Sequence, residues 1–101
     1  MTITVHDAPG SNRYEARDDD GTLAGLAQYI RSPELIAFVH TEVDPAYEGR
    51  GVGSELARTS LDEARAAGVK VLAVCPFYAG WIARHQEYAD LLYQNRSTVA
   101  D

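Results

Sequence analysis

The sequence predicts a single-domain α/β (α+β) fold whose mostly antiparallel sheet ends in one parallel β-α-β crossover. Three features predict it: two strand-like runs around an Asp-Gly turn, a glycine-rich loop between the strongest strand and an amphipathic helix, and a short apolar strand after that helix. A strand–helix–strand connection of this kind is right-handed and makes its two strands parallel. The 101 residues have room for one core, so we expect one domain over residues 1–101.

The first two strands form a predicted hairpin. Residues 13–17 alternate in character, and residues 23–30 are mostly apolar. The Asp-Asp-Asp-Gly sequence at 18–21 tolerates the backbone angles of a tight turn. We therefore expect the two runs to pair antiparallel across this turn.

Residues 35–43 are the best strand candidate, because β-branched and aromatic residues dominate them. The breaks Ser32-Pro33 and Asp44-Pro45 bound the run. Regular alternation predicts that four of its side chains share one face of the sheet: Ile36, Phe38, His40 and Glu42.

A helix follows the glycine-rich loop, and a buried strand follows the helix. Four apolar residues recur at helical spacing: Val52, Leu56, Leu61 and Ala64. Gly68 is placed to end this helix, and residues 69–74 form the short strand.

Pro76 suits the first turn of a second helix, where a missing N–H costs nothing. Phe77, Tyr78 and Trp81 are expected to fill the core in preference to lining a ligand pocket. His85 lies on the same helical stripe and is expected to pack or cap. The tail from about residue 94 is expected to fray.

Charge and cysteine content exclude several classes of function. The formal net charge of −6 argues against binding of nucleic acid or an anionic membrane, and it is compatible with a cationic acceptor such as an amine. One cysteine, Cys75, excludes an internal disulfide and fits a reducing compartment. With three scattered histidines it also argues against a structural zinc site. The start of the chain lacks the pattern of a signal peptide, so we expect a cytoplasmic location.

The glycine-rich loop is the clearest candidate binding site. Gly49, Gly51 and Gly53 let backbone N–H groups approach an anion, and the helix that follows adds free amides and a positive dipole end. Arg50 could add charge. The alternative is a plain turn before a helix, since three spaced glycines alone are a weak signal. The loop has neither the Walker ending nor the dinucleotide-fold spacing.

Residues 43–53, Val-Asp-Pro-Ala-Tyr-Glu-Gly-Arg-Gly-Val-Gly, resemble the acetyl-CoA motif of the GNAT acyltransferase superfamily. The remaining chain fits a shortened GNAT-like fold. The resemblance implies that acetyl-CoA (CoA) is the cofactor. It also implies that the backbone of Thr41, Glu42 and Val43 contacts the acetyl-pantetheine arm. The pyrophosphate is then held by Gly49, Arg50, Gly51, Val52, Gly53 and Ser54. Glu48 departs from the pattern, because Arg or Gln is usual there.

A closer resemblance is to a subgroup of very short GNAT-like proteins. It is carried by His-Thr-Glu-Val at 40–43, Cys-Pro-Phe at 75–77 and Arg-His-Gln-Glu-Tyr at 84–88. This resemblance implies a catalytic role for Cys75, which precedes a helix whose N-terminus could lower the thiol pKa. The alternative is that Cys75 is a small buried hydrophobe.

The catalytic acid and base are less clear from the sequence. Registered on the usual GNAT ending, Ala83 occupies the position of the tyrosine that protonates the leaving thiolate. Tyr78 or Cys75 could replace it, or no acid is needed. His40 and Glu42 are candidate general bases. A lone strand histidine is often a structural residue.

Three functions remain open at this stage. The first is an acetyl-CoA-dependent N-acyltransferase acting on an amine, either a small molecule or a protein lysine. The second is a non-catalytic acetyl-CoA-binding module, and the third is an interaction domain that keeps the motif as scaffold. The chain is short for an acyltransferase of this superfamily, so the acceptor is expected to be large or the site to be completed by a second subunit, as in a homodimer.

Overall fold

In the computed structural model, which describes residues 2–93, one five-stranded sheet carries two helices. The strands are β1 (Thr4–Ala8), β2 (Arg13–Arg17), β3 (Leu23–Arg31), β4 (Leu35–Val43) and β5 (Lys70–Ala73). The helices are α1 (Val52–Ala67) and α2 (Pro76–Arg84). Short 3₁₀ segments cover Pro9–Ser11, Pro45–Tyr47 and Gln86–Leu91. The predicted frayed tail from residue 94 lies outside the described residues.

The strands lie side by side in chain order, β1-β2-β3-β4-β5. The first four are antiparallel, and β5 is parallel to β4 through the α1 crossover. The predicted hairpin and crossover are therefore confirmed. Strand β1 is not among the predicted strands, and it pairs with β2 along its whole length.

Both helices cover the same face of the sheet. Tyr14 on β2 donates to Glu63 on α1 at 2.8 Å, and Phe38 on β4 stacks on Tyr78 of α2 with ring centroids 4.2 Å apart. Tyr14 and Phe38 also contact each other, with centroids 6.3 Å apart. Trp81 completes this core, so the expectation that the aromatic stripe of α2 is largely core is confirmed. No helix within residues 2–93 is long and apolar enough to cross a bilayer.

The opposite face of the sheet is polar over β2 and β4. Glu15 accepts hydrogen bonds from Arg13 and Arg17, which hold the pKa of its carboxyl below the usual range. His40 and Glu42 lie in the strand register that continues this polar face. Apolar side chains are also exposed on the strands, among them Ile30 and Leu72.

The predicted alternation along β4 is wrong beyond Phe38. Gln28 pairs with His40 but Tyr29 pairs with Phe38, so Val39 is an extra residue that forms a bulge. The bulge reverses the alternation. Ile36 and Phe38 therefore lie in the core, whereas His40 and Glu42 are exposed, and they do not share one face as predicted.

Candidate functional site

A gap opens between β4 and the chain that follows β5. The two strands pair only from Leu35↔Lys70 to Phe38↔Ala73, and the Cys75 amide then donates to the Phe38 carbonyl at 2.8 Å. Residues 39–43 of β4 continue with no β5 partner. Apart from the Thr41 amide, which contacts the Cys75 thiol, their backbone groups on that edge are available to an extended ligand arm, which can pair with a strand edge.

The glycine loop leads from β4 to the bare N-terminus of α1. Gly51 is the N-cap residue, with φ +77°, and no side chain caps the helix. Gly49 also has a positive φ, of +80°. These left-handed angles explain why both positions are glycine. The first bond of α1 runs from the Glu55 amide to the Gly51 carbonyl at 3.0 Å, which leaves the amides before Glu55 without a partner inside the helix.

The other loop residues divide between solvent and core. Glu48 and Arg50 are exposed, as is Gly51. Val52 as a whole is 1% exposed, so a ligand at the surface reaches its neighbours, the exposed Gly51 and Ser54 and the half-exposed Gly53. The donors at this site are therefore backbone amides at a positive helix end, a chemistry that fits the phosphates of coenzyme A.

Helix α2 supports the first turn of α1. A Cβ on Gly53 would lie 2.8 Å from the Phe77 ring, so glycine lets that ring pack directly on the α1 backbone. The Trp81 indole N–H donates to Ser54 Oγ at 3.1 Å. Sequence reasoning assigned Ser54 to the cofactor. The structure adds that its hydroxyl is already anchored to α2.

Cys75 lies at the inner end of the gap, as the N-cap of α2, and is 5% exposed. Its Sγ is 3.3 Å from Thr41 Oγ1 across the gap. Burial alone raises the pKa of the Cys75 thiol. Hydrogen bonds from the Thr41 hydroxyl and from the backbone amides of Tyr78, Phe77 and Thr41 outweigh burial, and the net pKa is lower than that of an ordinary thiol.

His40 and Glu42 lie together on the exposed face of β4. His40 Nε2 is 2.8 Å from Glu42 Oε2, and both side chains are more than half exposed. Their backbone borders the gap, but the Thr41 side chain points to the opposite face, toward Cys75. The structure thus places the candidate bases and the candidate nucleophile on different faces of one strand.

Tyr78 and His85 have structural partners. The Tyr78 hydroxyl is buried at 2.8 Å from Ser60 Oγ and 3.3 Å from the Leu56 carbonyl, and burial raises its pKa. Tyr78 therefore does not face the gap as an acid. His85 stacks on Trp81 with centroids 3.7 Å apart, and its Nδ1 is 2.8 Å from the Trp81 carbonyl. These contacts match the packing and capping role expected for His85.

An open cavity of about 250 Å³ lies where β3 begins and β4 ends. Its lining consists of residues 23–26 and 42–45. The volume is below the roughly 300–1,000 Å³ of sites that enclose a drug-sized ligand. The cavity is therefore a recess beside Glu42 and does not enclose a ligand.

The sheet, the gap between its two parallel strands and the uncapped helix N-terminus beside that gap define an α/β protein that can take an anionic ligand at this end. Residues 13–91 match the family model of the GCN5-related N-acetyl-transferases. The chain therefore belongs to the GCN5-related N-acetyltransferase family.

Two individual proteins extend this comparison. The chain is 46% identical over 67 residues to the N-alpha-acetyltransferase RimI of Mycobacterium tuberculosis. The matched region covers 62% of this chain and 42% of that relative. The chain thus spans less than half the length of this curated relative. The crystal structure of nourseothricin acetyltransferase matches with a TM-score of 0.52 and 29% identity, over 75% of this chain and 47% of that one.

A third similarity concerns the fold alone. A GCN5-like protein from Staphylococcus aureus, solved by NMR, matches with a TM-score of 0.69 over 96% of this chain and 95% of that chain, at 22% identity. The same small architecture therefore occurs in a protein of nearly the same length.

Proposed function

We propose that this protein is an acetyl-CoA-dependent N-acyltransferase that moves an acetyl group to an amine. The observation that carries the proposal is that the β4–β5 gap and the open amides of α1 lie at the same end of the sheet. A phosphate-bearing cofactor held at the amides can extend its arm into the gap. Membership of the GCN5-related family supports the same reading.

The residues present fit the cofactor in two parts. The backbone of residues 49–54 would hold the pyrophosphate through the amides of Gly49, Gly51, Gly53 and Ser54, because the Arg50 amide donates to the Tyr47 carbonyl and Val52 is buried. The backbone of Thr41, Glu42 and Val43 would pair with the pantetheine arm. Glu48 is exposed, so its carboxylate can stay in solvent away from the phosphates. Acetyl-CoA, when bound, supplies a thioester carbonyl as the acyl donor.

Two routes use the chain's own groups differently. In the direct route, the amine attacks the thioester carbon, Glu42 or His40 accepts the proton of the amine, and the C–S bond breaks to release the CoA thiolate. In the relay route, Cys75 Sγ takes the acetyl group and releases the CoA thiol. The amine then attacks the acetyl-cysteine and releases the Cys75 thiol. The short Thr41–Cys75 contact and the lowered thiol pKa favour the relay.

The binding half of the proposal is tested by titrating the protein with acetyl-CoA and with free CoA in a calorimeter. Gly51→Trp should abolish binding, because a large side chain would cover the amides at the start of α1. Gly68→Trp is the matched control: Gly68 also has a positive φ and open space around it, but it lies at the other end of the same helix. Wild-type protein that gives no heat at millimolar ligand contradicts the proposal.

The catalytic half is tested by turnover with a panel of amines and by intact-mass spectrometry after brief exposure to acetyl-CoA. The relay predicts a covalent acetyl group that Cys75→Ser lacks. Turnover that persists in Cys75→Ser supports the direct route. Binding without turnover toward any amine supports the non-catalytic alternative, a module that holds acetyl-CoA.

The acceptor is proposed to be a protein lysine or a small amine. The recess beside Glu42 is open, which suits an acceptor that is itself large, and a second copy of the chain could complete the site. A single free thiol stays reduced most readily in a reducing compartment, and for this reason we propose a cytoplasmic location.

A further inference from the structure

The carboxylate of Asp18 joins the β2–β3 turn to the segment before the glycine loop. Its Oδ1 accepts the amides of Asp20 and Thr22, at 2.9 and 3.0 Å, and so shapes the turn. Its Oδ2 accepts the hydroxyl proton of Tyr47 at 2.5 Å, across 29 residues of sequence. Asp18 therefore makes a contact with Tyr47 in addition to the two hydrogen bonds that shape its own turn.

Tyr47 is the last half-buried residue before the loop. It ends the 3₁₀ turn Pro45–Tyr47, where its amide donates to the Asp44 carbonyl at 2.8 Å. Its carbonyl accepts the Arg50 amide at 3.2 Å. Residues 48–51 that follow are all exposed. The position of Tyr47 thus determines where the loop starts.

A loop with glycines at positions 49 and 51 loses more conformational freedom on ordering than other sequences do. A hydrogen bond that already holds one end of the loop reduces the conformational entropy that ligand binding must remove. The bond is also suited to neutral pH. It lowers the pKa of Asp18 and raises that of Tyr47, so the carboxylate accepts and the phenol donates.

We propose that Asp18 and Tyr47 are positioning residues for the phosphate-binding loop, and that their hydrogen bond holds the loop so that the amides of α1 converge on the pyrophosphate. The inference rests on the proposed function, because it assigns the loop to coenzyme A. It adds a residue from a different hairpin to the binding of that cofactor.

The test compares Tyr47→Phe and Asp18→Asn with the wild type by calorimetric titration with free CoA. Asparagine keeps an oxygen that can shape the turn while it weakens the contact with Tyr47. Each variant should bind CoA at least about fivefold more weakly, as expected for loss of one hydrogen bond to a charged group. The double variant should be no weaker than the weaker single variant, because both changes remove one bond.

Tyr29→Phe is the matched control. Tyr29 donates to Asp7 at 2.6 Å, which is the same pair of groups, but it lies toward the other end of β3. Tyr29 is 4% exposed, so Tyr29→Phe should lower the free energy of unfolding at least as much as Tyr47→Phe does. Its affinity for CoA should equal that of the wild type.

Hydrogen exchange of the Arg50 amide, which donates to the Tyr47 carbonyl, supplies a second readout when it is measured without ligand. Exchange should be faster in Tyr47→Phe and unchanged in Tyr29→Phe. Wild-type affinity and wild-type exchange in Tyr47→Phe would overturn the inference, as would equal losses in Tyr47→Phe and Tyr29→Phe. A wild-type protein that does not bind CoA would instead overturn the proposed function itself.

Discussion

Helices α1 and α2 begin at the same end of the sheet, and neither has a side-chain cap, yet their first turns serve different groups. The N-cap of α1 is the exposed Gly51, and the first turn beyond it includes the half-exposed Gly53 and the exposed Ser54. The N-cap of α2 is the buried Cys75, and amides of the first turn of α2 contact the thiol. One helix end can receive a charge from outside the protein, while the other stabilises a charge that the chain itself supplies.

The largest expected effect comes from the residue that links the two helix starts. Trp81 on α2 is 1% exposed and donates to Ser54 in the first turn of α1. Trp81→Ala should lower the free energy of unfolding by about 3–5 kcal/mol, measured in urea, because it removes a large buried side chain. Tyr93→Ala, at a half-exposed side chain, should change it by no more than about 0.5 kcal/mol. Equal losses would contradict the placement of Trp81 in the core and of Tyr93 at the surface.

A smaller effect is expected at the α2 start alone. Thr41→Val removes the hydroxyl that contacts Cys75 Sγ, so burial should raise the thiol pKa. The rate of alkylation by iodoacetamide at neutral pH should fall about tenfold, as expected for one lost hydrogen bond to a charge. Thr59→Val makes the same change on α1, outside the gap, and should leave the rate unaltered. An unchanged rate in Thr41→Val would mean that the hydroxyl does not stabilise the thiolate.

The lowered pKa of Cys75 should also make the free energy of unfolding depend on pH, with a smaller effect than the change in alkylation rate. The pKa of Cys75 is lower in the folded protein than in the unfolded chain, so the folded state releases this proton first. Its contribution to stability is fully present above the unfolded pKa and is lost as pH falls through the folded pKa. Urea unfolding across this window should show a rise with pH that Cys75→Ser lacks. Parallel curves for both proteins would contradict the assignment.

The smallest effect on stability is expected on the outer face of β4. His40→Gln and Glu42→Gln break an exposed ion pair, which should change the free energy of unfolding by about 0.5 kcal/mol or less. Turnover separates their roles, because loss of a general base lowers the rate by roughly 10²- to 10⁴-fold. If neither variant loses rate, the proton is removed by another group.

Elements with strong local signals could be predicted from the sequence. The strand over Leu35–Val43 has the bounds expected from its β-branched residues and flanking prolines. Gly68 ends α1 with a φ of +71°, and Pro76 opens α2. Each of these depends on the conformational preference of one residue or a short run, which acts without tertiary contacts.

Features that depend on distant partners could not be predicted in this way. The bulge at Val39 has no glycine that would indicate it in the sequence, because it arises from the register in which β3 and β4 pair. Strand β1 is five residues at a sheet edge, and it is defined by its pairing with β2. The contacts of Thr41 with Cys75 and of Tyr47 with Asp18 join residues 34 and 29 positions apart.

The order of the strands has a consequence for how the chain assembles. Each strand lies next to the one that precedes it in the sequence, so a growing chain can add every strand to an edge that already exists. During synthesis, four antiparallel strands can form before β5 emerges. Cys75 and α2 come after β5, so the contact between Cys75 and Thr41 forms only when the sheet that orients both residues is complete.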